Sequence, residues 1–183
     1  MTEIKRGKKL KNSEQPCQAE QADKFVCYQR SVQEPDHEVR VFDQVYREAY
    51  NTKPLTLRED FCGTFAVSCE WAKSDKNRQA IGLDICPETL AWGIENNLGK
   101  LKTKVAERVE VLEQDARSRT APHVDVLAAQ NFSFWCLKTR QEVVNYFKLA
   151  FENLGEKGVM VMDMMGGKEC YASDVTDKRT IIK

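Results

Sequence analysis

Five short apolar runs, three of their four intervals filled by a stretch with helical spacing, constrain this chain more than any other feature of its sequence. The runs are Leu55-Leu57-Glu59, Gln79–Asp84, Val109–Val111, Val124–Ala129 and Val159–Asp163. After the first, Gly63 to about Lys73 is helical, with Phe65, Cys69 and Ala72 on one face. A second helix opens at Pro87, where the missing N–H costs nothing, and turns Leu90 and Ile94 inward. A third opens on a capping box, Thr139 to Glu142, and buries Val144, Phe147, Phe151 and Leu154 before Gly155 and Gly158 end it. Parallel strands need crossover connections, so this alternation predicts an α/β fold around a mostly parallel sheet. The run holding Ala80, Ile81 and Leu83 is continuous enough to be buried on both faces.

Ahead of the first run the pattern is different. Residues 1–20 are polar and lack periodicity, and Lys5, Arg6, Lys8, Lys9 and Lys11 make them a basic, flexible arm. Residues 21–54 form a helical segment; from Pro35 onward Val39, Phe42, Tyr46 and Ala49 share a face, and Asn51 to Pro54 break it. Residues 55–183 are the α/β domain.

Lys+Arg and Asp+Glu both number 28, which argues against nucleic-acid binding through bulk charge. Seven cysteines form no CxxC pair and stand with only two histidines, His37 and His123, so the spacing of a structural zinc site is lacking and no metal is expected. No signal peptide or bilayer-crossing run is visible, and the odd cysteine count reads as reduced thiols in a cytoplasmic or nuclear protein. His123 precedes the fourth strand and is read as structural. Trp71, Phe147 and Phe151 are read as core, and Trp135 stays open between core and an acceptor pocket.

In an open parallel sheet, ligands bind beyond the carboxyl ends of the strands, where strand order reverses. The residues at those ends are Glu59, Asp84, Asp115, Gln130 with Asn131, and Asp163. One strand-terminal acid is commonly a cap or a surface charge. Several at successive strand ends point to a ligand.

The stretch Leu57-Arg58-Glu59-Asp60-Phe61-Cys62-Gly63-Thr64 resembles the first motif of the class I S-adenosylmethionine (SAM) dependent methyltransferases, an acid followed by a tight small-residue turn that opens a helix. Gly82-Leu83-Asp84-Ile85 resembles the second motif, and Gln114-Asp115-Ala116 the third. Asn153 to Gly158 is similar to the turn before strand five. The resemblance spans roughly residues 55–165, and the wording Arg-Glu-Asp-Phe-Cys-Gly-Thr looks like a distinct branch of the superfamily. It implies a Rossmann-like sheet, SAM as cofactor and methyl transfer to an unidentified acceptor. It also implies cofactor binding by Glu59, Cys62, Gly63, Thr64, Asp84, Ile85, Asp115, Ala116 and Gln130. In that reading Asp84 accepts from the ribose hydroxyls, Asp115 from the adenine amino group, and Glu59 acts at the methionine end. No catalytic residue is singled out.

The chain departs from the motif in carrying Phe61 and Phe65 where the superfamily has further glycines. A dinucleotide dehydrogenase would need three glycines in this turn, and only Gly63 is there. The other alternative is a SAM-binding partner or regulatory chain without catalysis. Asn131-Phe132-Ser133-Phe134 lacks the prolines of enzymes that methylate nucleobases, so activity on duplex DNA is not expected. Residues 164–183 hold too little sequence for a helix and a closing hairpin, so the sheet is expected to be incomplete. Its Val159–Met162 edge is then expected to promote self-association.

Overall fold

The computed structural model describes residues 17–167. In chain order it has helices α1 (Gln18–Gln21), α2 (Lys24–Val32) and α3 (Pro35–Tyr50), strand β1 (Thr56–Asp60), α4 (Ala66–Ser74), β2 (Gln79–Asp84) and α5 (Pro87–Asn96). There follow α6 (Thr103–Ala106), β3 (Val109–Glu113), β4 (Val124–Ala129), α7 (Arg140–Asn153) and β5 (Leu154–Met162). All strand pairs are parallel, in the order β3-β2-β1-β4-β5. This is an α/β, Rossmann-like sheet whose order reverses between β1 and β4. Of the expected basic arm, residues 1–16 lie outside the described residues, as does the tail from 168 on, and Gln18–Gln21 are helical.

Alternation along β1 assigns the helices to faces. Leu57 packs with Val39 and Phe42 of α3, Val67 and Trp71 of α4, and Ala80, Val126 and Ala128 of the neighbouring strands. Phe65, Cys69 and Leu90 continue this layer towards α5. On the other face Leu127 and Val124 meet Ala150 of α7, and Ala129 meets Tyr146 and Phe134. Parallel pairing on both sides leaves β1 and β2 nearly without exposed side chains, which explains their unbroken burial. Among the described residues β5 has one strand partner, β4. No helix among the described residues is long and apolar enough to cross a membrane.

The boundaries of β2 and β4 coincide with the sequence reading, and Val39, Phe42 and Tyr46 form the inner face of α3. Six side-chain expectations are corrected. Ala49 is exposed, and Tyr50 packs against the core instead. Ile94 is half exposed, because α5 meets the body through Leu90 and Gly93. In α7 the buried residues are Tyr146, Ala150 and Asn153, not Val144, Phe147 and Leu154, which are half-buried, nor Phe151, which is 77% exposed. Two of those three inward residues carry polar groups that reach across the sheet, so a count of apolar positions rotated the face. Leu55 lies before β1 and is exposed, β1 runs one residue further to Asp60, and β5 begins at Leu154, immediately after α7.

Gly93 fixes how closely α5 approaches. A Cβ there would stand 2.5 Å from the Phe65 ring and 2.7 Å from the Thr64 carbonyl oxygen. An unhindered helical Gly→Ala change stabilises by about 1 kcal/mol. Gly93→Ala is expected instead to lower stability by about 1–3 kcal/mol, the usual cost of overpacking. Chemical denaturation checks this, and a stabilised variant would show that α5 is not clamped on Phe65.

Candidate functional site

A cavity of about 700 Å³ opens at the carboxyl ends of the strands, within the size range of small-molecule sites. Its floor is the turn after β1, one wall the ends of β2 and β3, and its cover is α2. Gly63, Thr64, Asp84, Ile85, Asp115 and Ala116 all line it. Three candidates from the sequence do not: Glu59, Cys62 and Gln130 are absent from the lining. Each serves a turn instead. The Glu59 carboxylate accepts from the Ser68 N–H (2.9 Å) and hydroxyl (2.5 Å), which caps the first turn of α4. The Cys62 N–H donates to the Leu83 carbonyl, and the Gln130 carbonyl accepts from the Ser133 hydroxyl.

The remaining strand-end acids hold turns as well. Asp84 accepts from the Gly63 N–H (2.8 Å) with one oxygen and from the Cys86 N–H (2.9 Å) with the other. Asp115 accepts from the Arg117 N–H (2.8 Å) and from its guanidinium (2.8 and 2.6 Å), which keeps its carboxyl below the usual carboxylate range. Asp163 accepts from the Phe132 N–H (3.0 Å). Turn capping therefore accounts for every one of these acids. What sets Asp84 and Asp115 apart is that they also face the cavity. A carboxylate offers about four acceptor positions, and the backbone takes two at Asp84.

The phenylalanines in the first turn stand on glycine-like backbone. Phe61 (φ 56°), Gly63 (φ 55°) and Phe65 (φ 46°) all lie in the left-handed region. The turn keeps a conformation that favours glycine and places two large side chains in it, at a cost of about 1–3 kcal/mol each. Phe65 recovers this by complete burial, and Phe61 by packing on Tyr146 with ring centroids 5.6 Å apart. Asn131 and Phe132, after β4, are left-handed too. The strained non-glycine residues thus gather at the ends of β1 and β4, where strand order reverses, with Asn51 at the end of α3 the exception.

Sequence reading missed the cover. Lys24, Phe25 and Tyr28 of α2 line the cavity. Asp23 caps that helix, and its second oxygen accepts from the Trp92 indole N–H (2.8 Å), while Phe25 lies on the Trp92 ring. Gln29 donates to the Thr64 hydroxyl (2.6 Å). The detectable signal was the Asp23 cap followed by Phe25 and Tyr28 at helical spacing. Arg117, Thr89, Cys136 and Glu142 also reach the cavity unforeseen. Ile85 is 70% exposed over it, an apolar surface suited to a flat ring. Trp135 packs with Phe132 and Phe134 outside the lining, and His123 is exposed at the opposite end of β4.

No family model matches the sequence, and a search of curated proteins finds no match. Solved structures do match. The sugar N-methyltransferase KedS8 from Streptoalloteichus sp. aligns with a TM-score of 0.65 at 15% identity, over 95% of this chain and 64% of that one. Streptomyces venezuelae DesVI gives 0.64 at 18%, over 81% and 58%. The glycopeptide N-methyltransferase MtfA, in complex with S-adenosyl-L-methionine, gives 0.59 at 11%, over 76% and 58%. The chain spans less than two thirds of each of these proteins, and at such identities the likeness is one of fold.

Burial pushes the Glu59 carboxyl up to about 8, against the lowering effect of its two Ser68 hydrogen bonds. A carboxyl whose folded value is raised stabilises the fold fully below its unfolded value, near 4.5, and loses that contribution as pH rises through about 8. Glu59→Gln keeps an acceptor for Ser68 and removes the titration. Native stability is expected to fall relative to the variant between pH 5 and 8.5, by no more than about 1.4 kcal/mol per pH unit. Denaturation at a series of pH values checks this, and parallel profiles would contradict it.

Proposed function

We propose that this chain is a SAM-dependent methyltransferase, with the cavity above β1, β2 and β3 as its cofactor site and a small-molecule or peptide acceptor still to be identified. The observation that carries the reading is Asp84, at the end of β2. Both its oxygens are fixed by backbone N–H groups, and it keeps free acceptor positions on the cavity side. That geometry suits a vicinal diol.

The other lining residues fit the same ligand. Ile85 and Ala116 offer apolar contact to an adenine ring, and Asp115 an acceptor for its amino group. Gly63, with no side chain, lets the backbone approach closely. A dinucleotide would need the same turn to cradle a pyrophosphate, and there the Phe61 side chain fills space that a glycine would leave open. The methyltransferase folds that align with the chain, one of them holding SAM, add support at the level of architecture.

When bound, SAM supplies an activated methyl group on a sulfonium. Transfer is an in-line displacement, so the protein's contribution is to hold two partners in register and exclude water, an effect of about 7–11 kcal/mol at most. Tyr28, Phe25 and Lys24 of α2 cover the cavity, and Ser133 and Cys136 bound the side away from β3. No general base is needed for an acceptor that is already a nucleophile.

Asp84→Ala is expected to weaken binding of S-adenosylhomocysteine (SAH), measured by calorimetry, about tenfold or more, since losing one partner of a buried charged hydrogen bond costs about 1.5–3 kcal/mol. Asp84→Asn should fall between. Equal affinity in all three proteins would remove Asp84 from the site, and NADH binding without SAH binding would favour a dehydrogenase.

Incubation with methyl-labelled SAM and pools of small molecules, peptides, RNA and DNA is expected to label the small-molecule or peptide pool and leave DNA bases unlabelled. SAH binding with no labelled product in any pool would favour the non-catalytic alternative.

A further inference from the structure

Residues 114–123 carry the chain from β3, at one edge of the sheet, past β2 and β1 to β4, and they do so without a helix. Among the described residues its one internal backbone bond is from the Ser118 N–H to the Asp115 carbonyl (2.8 Å), so its other carbonyls must find partners elsewhere. One side chain pairs two of them. Arg58, on β1 and wholly buried, donates from Nη2 to the Ala116 carbonyl (2.7 Å) and from Nη1 to the Ser118 carbonyl (3.0 Å) and the Thr120 hydroxyl (2.9 Å). Its Nε donates to Asp60 (2.7 Å), whose other oxygen accepts from the Tyr146 hydroxyl (2.9 Å). Asn153 holds the far end, accepting from the Thr120 N–H (2.8 Å) and donating to the Ser118 carbonyl (3.2 Å). The residue bonded by Nη2, Ala116, lines the cavity together with its neighbours Asp115 and Arg117.

We propose that Arg58 is a positioning residue for ligand recognition: its buried guanidinium sets the shape of the 115–120 loop, and through it the cavity's discrimination of an adenine ring, without touching the ligand. The ligand half of this rests on the cavity being a SAM site. The planar fork is what the task demands. It reaches three loop positions in different directions while anchored at Nε, whereas an ammonium on a flexible stem holds one or two. A buried guanidinium must satisfy its N–H donors, and the acceptors taken here beyond Asp60 are three alternate residues of the cavity loop.

The test compares SAH with S-inosylhomocysteine, in which oxygen replaces the adenine amino group. The native chain is expected to prefer SAH about tenfold or more, as a site that accepts from that amino group should. Arg58→Lys should bring the two affinities within about twofold of each other. An unchanged ratio overturns the proposal. Tyr146→Phe, which frees Asp60 but touches no loop atom, should lower the melting temperature and keep the native ratio; a loss of discrimination equal to that of Arg58→Lys overturns it too. If Arg58→Lys does not fold, Thr120→Val removes one of the four guanidinium bonds, with the 3.3 Å bond from the Thr120 hydroxyl to Asn153, and should shift the ratio the same way by a smaller factor, and no shift there is equally fatal. Amide hydrogen exchange on the ligand-free protein separates the two premises. Arg117, Ser118 and Thr120 should exchange faster in Arg58→Lys, or in Thr120→Val, while β2 and β4 keep native protection; unchanged exchange overturns the hold on the loop. If the native chain binds neither ligand, the SAM reading falls and the ligand half of the proposal with it, and exchange still decides the loop half.

Discussion

The guanidinium of Arg58, at the centre of the sheet, is the interaction on which the rest of the cavity side depends. In most parallel sheets each crossover is a helix that satisfies its own backbone and covers the strands beneath it. Between β3 and β4 this chain has only an irregular segment, so both tasks pass to side chains on β1 and α7. Arg58 and Asn153 between them take the Ala116 and Ser118 carbonyls and the Thr120 N–H. Tyr146 then completes Asp60, and that hydroxyl fixes the phase of α7. The inward face of α7 is set by what it must reach.

Such an arrangement places three consecutive charged residues, Arg58, Glu59 and Asp60, in a strand buried at all but its first residue. Each would be costly alone. They are tolerated because alternation sends them to different faces and each finds partners there. Arg58 and Asp60 neutralise each other on the α7 side, while Glu59 caps α4 on the other, raised by burial towards its neutral form. Replacing a buried pair by apolar residues commonly leaves stability unchanged or improves it, whereas removing one member costs several kcal/mol. The network is therefore better understood as specifying one loop geometry than as adding stability.

The sheet was legible from the sequence because its strands are short apolar runs and its helices begin at clear signals, Pro87 and the Thr139 capping box among them. Ile94 and the α7 face were not, since Gly93, Tyr146 and Asn153 pack inward by contact and hydrogen bonding that apolar periodicity does not record. The strand-end acids were found, but the sequence could not separate those that only brace a turn, such as Glu59, from those that also front a cavity, such as Asp84. Both kinds look alike in a chain of letters; the difference is which face of the turn their spare lone pairs meet. Phe61 and Phe65 stand where the motif they resemble has glycines. The structure keeps the left-handed backbone and lets packing offset the strain, an energy balance that lies in contacts distant along the chain.

The two sides of the cavity consequently differ in how firmly they are held. Its floor rests on buried residues: Cys62 and Phe65 of the first turn, behind the lining, and Ala116 within it are nearly inaccessible, and the loop of Ala116 is tied to a strand at the centre of the sheet. Its cover, α2, has no buried residue at all. It is attached through an exposed Lys24–Glu88 ion pair, the Asp23–Trp92 and Gln29–Thr64 hydrogen bonds and one ring contact. Exposed ion pairs are worth about 0–1 kcal/mol and single hydrogen bonds about 0.5–1.5. Opening α2 thus costs a small part of what unfolding the sheet would. The same asymmetry explains why sequence reading found the floor and overlooked the cover, since a surface held by few, exposed contacts imposes little pattern on the residues that form it.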